Sequence, residues 1–153
     1  MDDSPARVLM LVHVMATLFM VGVIWFVQII HYPLFAAIGK ADFAAYEQAH
    51  TRRTVWVVAP PMLIELITGI LLLFIRPAGV TLYHSILGVV LIAVVCFSTQ
   101  FVQVPCHTRL SQSFDPSVHR RLVSTNWVRT VAWSLRGFLV IWMVWIAFTV
   151  AHR

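Results

Sequence analysis

Two charged residues lie deep inside long apolar stretches of this sequence, where they either do chemistry or fix helix packing. Glu65 follows Arg53 by twelve positions, which puts it about 18 Å into a membrane if the intervening residues are helical. Arg136 reaches a comparable depth from the same side. We predict a buried ion pair between Glu65 and Arg136, because neither charge is tolerated alone in hydrocarbon. A role of Glu65 in carrying a proton or binding a metal stays open as the alternative.

Amide and basic side chains also recur at helical spacing within the apolar stretches. Gln100, Gln103 and His107 occupy positions i, i+3 and i+7, so they share one helical face if the helix continues past Pro105. A polar face of this kind points into a bundle and not toward lipid. The same reasoning predicts two further inward faces, formed by Gln28 with His31 and by Asn126 with Arg129 and Arg136.

These faces reach the same end of the predicted bundle, which indicates one site between the helix ends. Imidazole, amide and guanidinium groups suit proton abstraction from a molecule whose oxygen then carries negative charge. We predict His107 or His31 as the general base and Arg129 as the group that stabilises the charge. Gln103 and Asn126 are predicted to donate hydrogen bonds to the substrate oxygen. The residues predicted to bind substrate or to cover the site are Trp25, Gln28, His50, Gln100 and Trp133.

Several of these residues could instead bind a cofactor. Zinc, iron and copper accept imidazole and carboxylate ligands, and the sequence contains no HExxH, CxxC or paired ExxH motif that would specify one of them. Haem ligation by His13 and His84 is a second alternative. The leading interpretation requires no cofactor and assigns Glu47 as the charge partner of His50, one helical turn away. The candidate metal ligands are His31, His50, His107 and Glu65.

The composition indicates that the solvent of this chain is lipid. Of its 153 residues, 60% are hydrophobic and 11% are charged, and the mean hydropathy is +0.86. These values exclude a soluble domain. The net charge of +5 comes from basic residues scattered singly and in pairs, which is typical of membrane topology signals and not of a nucleic-acid surface. We therefore expect the lipid bilayer as a partner and no nucleic acid.

Four apolar segments are long enough to cross a bilayer as helices. Asp115 and Pro116 predict a helix start before the fourth segment, and Pro77 with Gly79 predicts a tight turn after the second. Apolar and charged residues alternate after the first segment, a pattern typical of an amphipathic helix in the interface. We predict an all-α, single-domain, up-down four-helix bundle with this interfacial helix between spans one and two. The spans are placed at about 8–30, 55–75, 81–104 and 127–151.

The basic residues of the loops predict the orientation, because positively charged loops stay in the cytoplasm. The two long loops carry Lys40, Arg52, Arg53, Arg109, Arg120 and Arg121. The opposite side carries Arg7, Arg76 and Arg153. We therefore predict that the protein lies in the inner membrane of a bacterium and that both of its termini lie outside the cytoplasm.

The last loop and the following helix carry motifs that can be compared with a known family. The segment reads FVQVPCHTRLSQSFDPSVHRR and is followed by NWVRT. It resembles the anthrone oxygenase-like membrane family, a domain of unknown function, and GVIWF and VVAPP in the first two spans are similar to that family too. Gln103 and His107 replace asparagines that are common there, which favours acid–base work or metal binding. The matching residues are Phe101, Val104, Pro105, His107, Leu110, Asp115, Pro116, Asn126, Val128, Arg129 and Thr130.

The residues and the resemblance together favour an oxidoreductase or oxygenase-like enzyme that acts on an apolar aromatic or quinone-like molecule reached from the membrane. One alternative is a non-enzymatic membrane module, such as a carrier or an assembly partner, and another is a metal- or haem-binding membrane protein. The oligomeric state stays open. A weaker likeness to four-helix haem-linked protoporphyrinogen oxidases is carried by Thr51, Arg52, Arg53, Pro60, Thr68 and Gly69.

Overall fold

The computed structural model describes residues 4–151 as four long helices without a strand in that range. Each helix is long and apolar enough to cross a membrane. The all-α class and the four-helix bundle are thereby confirmed. The helices are α1 (Ser4–Ala37), α2 (Lys40–Leu71), α3 (Leu82–Leu110) and α4 (Pro116–Ala151).

The helices form an antiparallel ring in which α1 packs on α2 and α4, and α3 packs on α4. The contact between α2 and α3 is the least extensive of the four. We call the end at which α1 and α3 finish the histidine end. An apolar cluster closes this end, and its buried members are Tyr32, Phe35, Phe43, Cys106, Leu110, Val118 and Leu122.

The bundle carries charged residues inside and large apolar residues outside. Trp56, Phe74 and Phe138 are 78%, 76% and 74% exposed, whereas Glu65 and Arg136 are 3% and 0% exposed. A surface this apolar is unfavourable in water and matches a hydrocarbon solvent. The chain is therefore an integral membrane protein.

The separate interfacial helix predicted between the first two spans is not present. Residues 40–54 form the first part of α2, which runs without a break from Lys40 to Leu71. Neither proline nor glycine occurs between Lys40 and Ala59, so nothing in this stretch ends the helix. The second span thus begins earlier than predicted, and α3 and α4 likewise extend beyond their predicted limits at the histidine end.

Two π-turns accommodate the prolines near the ends of α1 and α3. The first covers Val27–His31 before Pro33, and the second covers Thr99–Gln103 before Pro105. Proline cannot donate to the helix ladder and its ring clashes with the carbonyl four residues earlier, and a wider turn relieves that clash. Both helices therefore continue past their prolines.

The predicted cap and turn are confirmed. Oδ1 of Asp115 accepts the backbone N–H groups of Ser117 at 2.7 Å and Val118 at 3.3 Å. The Ser117 hydroxyl donates to the same oxygen at 2.7 Å, and this hydrogen bond together with the two backbone ones lowers the pKa of Asp115, because they stabilise its charged form. Gly79 has a φ of 84°, a left-handed conformation that favours glycine.

Candidate active site

Three histidines from three different helices meet at the histidine end. His31 comes from α1, His50 from α2 and His107 from α3. His31 Nε2 and His50 Nδ1 are 3.0 Å apart, and the ring centres of His50 and His107 are 5.6 Å apart. Thr54 Oγ1 also lies 3.0 Å from His50 Nδ1, which fixes the ring from one turn along α2.

A carboxylate, an imidazole and a phenol form a chain of contacts beside this cluster. Glu47 Oε1 contacts His107 Nδ1, and His107 Nε2 lies 2.9 Å from the Tyr32 hydroxyl. Glu47 is fully buried, and its Oε2 has no hydrogen-bond partner among the described residues. An ionised carboxylate can only accept, so Nδ1 donates to Glu47 and Nε2 is left to accept from Tyr32.

Arg129 contacts the other side of Tyr32. Its Nη2 donates to the Tyr32 hydroxyl at 3.4 Å and its Nη1 to Thr99 Oγ1 at 3.1 Å. Nε and Nη2 donate to Asn126 Oδ1 at 2.9 and 2.6 Å. Asn126 Nδ2 in turn donates to Gln28 Oε1 at 2.8 Å. The guanidinium is thus held from three sides.

The charge of Arg129 has no carboxylate partner within residues 4–151. Its side chain is 8% exposed, and the salt bridges among the described residues join Arg136 to Glu65 and His107 to Glu47. All hydrogen-bond acceptors of Arg129 are neutral groups. A buried cation with neutral partners attracts an anion or a developing negative charge.

Tyr32, His50, His107 and Arg129 line a partly open cavity of about 460 Å³. This volume lies within the range of small-molecule sites. Its polar lining includes Tyr32, His50, Thr99, Gln103, His107 and Arg129. Its apolar lining includes Met20, Ile24, Val58, Met62, Val104 and Trp133.

The comparisons with known proteins provide no evidence about function, so the functional argument rests on this geometry. No family model, curated protein or solved structure matches the chain. The likeness of residues 101–130 to the anthrone oxygenase-like family therefore stays a prediction. The weaker likeness to protoporphyrinogen oxidases stays one too.

Three of the five residues predicted to be catalytic line the cavity. Gln103, His107 and Arg129 line it. His31 does not, because it lines an outer groove between α1 and α2, from which it contacts the lining residues His50 and Tyr32. Asn126 is fully buried behind Arg129 and orients it without lining the cavity.

The predicted substrate-binding and lid residues divide in the same way. His50 and Trp133 line the cavity. Trp25 and Gln28 do not line the cavity. Trp25 is half-exposed and packs edge-on against Trp127, and Gln28 accepts a hydrogen bond from Asn126.

Gln100 lies outside the site for a local reason. Its side chain is exposed, whereas Gln103 is buried. Both residues belong to the π-turn of α3. A π-turn has more residues per turn than an α-helix, so the expected single face of Gln100, Gln103 and His107 is broken at Gln100. Gln103 instead bonds to Ser98 and Thr125.

Glu65 and Arg136 lie together in a separate network near the middle of the bundle. Glu65 Oε1 accepts from Arg136 Nε at 2.8 Å and lies 2.8 Å from Arg136 Nη2 in an ion pair, and Glu65 Oε2 accepts from Trp133 Nε1 at 3.0 Å. Arg136 also contacts His13 Nε2 at 3.3 Å. Both carboxylate oxygens of Glu65 are therefore used, and Glu65 is not part of the histidine cluster as the metal alternative assumed.

The haem alternative does not fit the region between His13 and His84. The space that both residues line holds about 10 Å³, far less than a haem requires. His13 Nδ1 lies 2.7 Å from Thr68 Oγ1, and His84 Nδ1 lies 2.9 Å from Thr81 Oγ1. Both imidazoles are therefore engaged in local hydrogen bonds.

Two features of the site were missed in the sequence. Tyr32 links His107 to Arg129, and it was not singled out because its inward direction depends on the π-turn before Pro33. Glu47 was assigned to His50, but its hydrogen bond is to His107. A tyrosine directly before a proline in a polar helix end is the signal that could have indicated Tyr32.

Proposed function

We propose that this chain is an integral membrane enzyme of the oxidoreductase or oxygenase type. Its substrate is an apolar aromatic or quinone-like molecule that carries a phenol or ketone oxygen. The observation that carries this proposal is the buried guanidinium of Arg129, whose partners among the described residues are neutral and which lines a mainly apolar cavity.

The polar end of the cavity suits proton abstraction. A substrate oxygen that binds next to Arg129 receives a hydrogen bond from the guanidinium where negative charge develops. His107, oriented by Glu47 through Nδ1, takes the proton at Nε2, either directly or through the Tyr32 hydroxyl. This use of an imidazole and a carboxylate is typical of general base catalysis.

An anthrone illustrates the chemistry. Loss of a proton from its methylene carbon gives an anion that reacts with dissolved oxygen. One anthrone and one O₂ then give one anthraquinone and one water, so the atoms balance with O₂ as the oxidant. Among the chain's own residues the reaction needs a base and a group that stabilises the oxyanion, which are the roles proposed for His107 and Arg129.

The substrate class also agrees with the position of the cavity. Its apolar walls include Val58 and Met62 from α2 and Val104 from α3. Among the neighbouring helices of the ring, α2 and α3 have the least extensive contact. An apolar molecule dissolved in the bilayer can enter between them without crossing water.

The test uses 1,8-dihydroxyanthrone with the chain in proteoliposomes, and it measures oxygen uptake and anthraquinone formation. We expect the wild type to exceed empty liposomes, and His107→Ala to lose roughly 100-fold or more of the added rate. His84→Gln is the matched control, because His84 is distant from the cavity and glutamine can keep its capping role beside Thr81.

Two outcomes would overturn the proposal. A wild-type rate equal to that of empty liposomes contradicts the enzyme and its substrate class, and binding without turnover then indicates a carrier. An unchanged rate in folded His107→Ala protein contradicts the assignment of the base.

A further inference from the structure

We propose that Glu47, His50 and His107 bind one divalent transition-metal ion. Each residue offers one ligand atom, and the three atoms lie within 4.8 Å of one another. This set differs from the one expected from the sequence, because Glu47 takes the place of Glu65 and His31 is not a ligand.

The buried carboxylate gives independent support for a missing ligand. Glu47 is 0% exposed, yet its Oε2 has no partner among the described residues. A buried carboxylate oxygen without a donor is unfavourable. A cation between Glu47 and the two imidazoles removes that penalty, because it binds the oxygen and compensates the charge.

The donor chemistry identifies the class of ion. Two imidazoles and one carboxylate form a typical set for zinc and for other first-row ions such as iron(II) and cobalt(II). Calcium and magnesium prefer sets made of oxygen ligands. Three protein ligands leave at least one coordination position open. His50 and His107 both line the cavity, so a water or a substrate oxygen in the cavity could take such a position.

Neighbouring hydrogen bonds hold the ligands in place. His50 Nδ1 contacts His31 Nε2 and Thr54 Oγ1, each at 3.0 Å. His107 Nε2 lies 2.9 Å from the Tyr32 hydroxyl. Hydrogen bonds to the second nitrogen of an imidazole are a regular feature of metal-binding histidines, because they set the ring orientation.

The metal site goes beyond the proposed function and does not depend on it. A metal at Nδ1 of His107 requires the tautomer that carries its proton on Nε2, so Nε2 would then donate to the Tyr32 hydroxyl instead of accepting from it. Arg129 and Tyr32 still face the substrate oxygen in that form. With a metal bound, His107 would serve as a ligand and not as the base, and the metal would supply an activated water whose hydroxide form can accept a proton.

The test is a titration of the chelator-stripped full chain in detergent with Co²⁺, followed by visible absorption, and with Zn²⁺ in competition. We expect one Co²⁺ per chain and displacement by Zn²⁺. Glu47→Gln and His50→Gln should each weaken binding at least 100-fold. His31→Gln should weaken it about 10- to 100-fold, because it removes a hydrogen bond that orients His50. His84→Gln should bind like the wild type.

Two ligand variants are used so that the test remains informative if one of them does not fold. His50 is only partly buried, so His50→Gln remains informative if Glu47→Gln does not fold. Circular dichroism and gel filtration check both. The proposal is overturned if the wild type binds no Co²⁺, or if folded Glu47→Gln and His50→Gln bind it as the wild type does. A chain that oxidises anthrone without binding metal overturns the metal site alone.

Discussion

At the scale of single residues, the two buried arginines of α4 differ in their partners. Arg136 pairs with Glu65, whose second oxygen is bonded to Trp133. The partners of Arg129 in the described part of the chain are all neutral. The charge of Arg136 is therefore compensated within the protein, which is typical of a structural ion pair, whereas Arg129 is available to a ligand.

The stability of the chain tests the structural role of Glu65. Glu65→Ala leaves Arg136 as an uncompensated charge inside the bundle, so we expect a loss of roughly 3 to 5 kcal/mol in the free energy of unfolding. Thermal and denaturant unfolding in detergent measure it. Asp42→Asn, at an exposed position of α2, is the control and should change stability by less than about 1 kcal/mol. Equal stability of the wild type and Glu65→Ala contradicts the structural assignment.

At the scale of elements, periodicity in the sequence is sufficient where helices are regular. Asn126, Arg129 and Arg136 all point inward because α4 is a continuous α-helix. Gln100 is exposed and does not share the inward face of Gln103 and His107, because the spacing of polar residues does not indicate the π-turn of α3. His50 was predicted as the partner of Glu47, whereas the structure pairs Glu47 with His107. That contact depends on how α2 packs against α3, which the periodicity of a single helix does not indicate.

The cap of α4 gives a pH-dependent prediction. The folded-state pKa of Asp115 lies below its ordinary value of 3.8, so its contribution to stability is present above that value. It is lost as the pH falls through the folded pKa. We expect Asp115→Ala to lower the melting temperature at neutral pH, and the difference from the wild type to shrink below pH 3.8.

Asp115→Asn is the matched control for this cap. Asparagine caps helices about as well as aspartate does, but it does not titrate. Its melting temperature should therefore stay close to that of the wild type at neutral pH. A wild-type advantage over Asp115→Ala that persists undiminished under acid conditions contradicts the assignment of the cap.

At the scale of the whole molecule, Trp133 joins the two polar networks of the interior. Its Nε1 donates to Glu65, and its ring lies 5.9 Å from the guanidinium carbon of Arg129 and lines the cavity. The number of spans follows from length and apolar composition, which the sequence contains directly. The shape of the cavity depends on the side chains of all four helices, so sequence spacing indicates only some of its lining.

The orientation of the bundle in the membrane is a further prediction at this scale. Basic residues are concentrated at the histidine end, in the first half of α2, at the end of α3 and near the start of α4, which should keep that end in the cytoplasm. A phosphatase reporter that is active only outside the cytoplasm should be active when fused to the C-terminus. A fluorescent reporter that folds only in the cytoplasm should be dark there, and the reverse pattern would show the opposite orientation.

Photoaffinity labelling tests the central claim most directly, because it asks whether the cavity binds an apolar oxygen-bearing molecule. The probe is a naphthol that carries a diazirine, used on the full chain in proteoliposomes and followed by peptide mapping. We predict labels on Val58, Met62 and Trp133 that unlabelled naphthol competes away, and weaker labelling in Arg129→Lys, because a point charge does not replace the planar guanidinium. Labels confined to lipid-facing residues such as Phe74 and Phe138, without competition, would contradict the account.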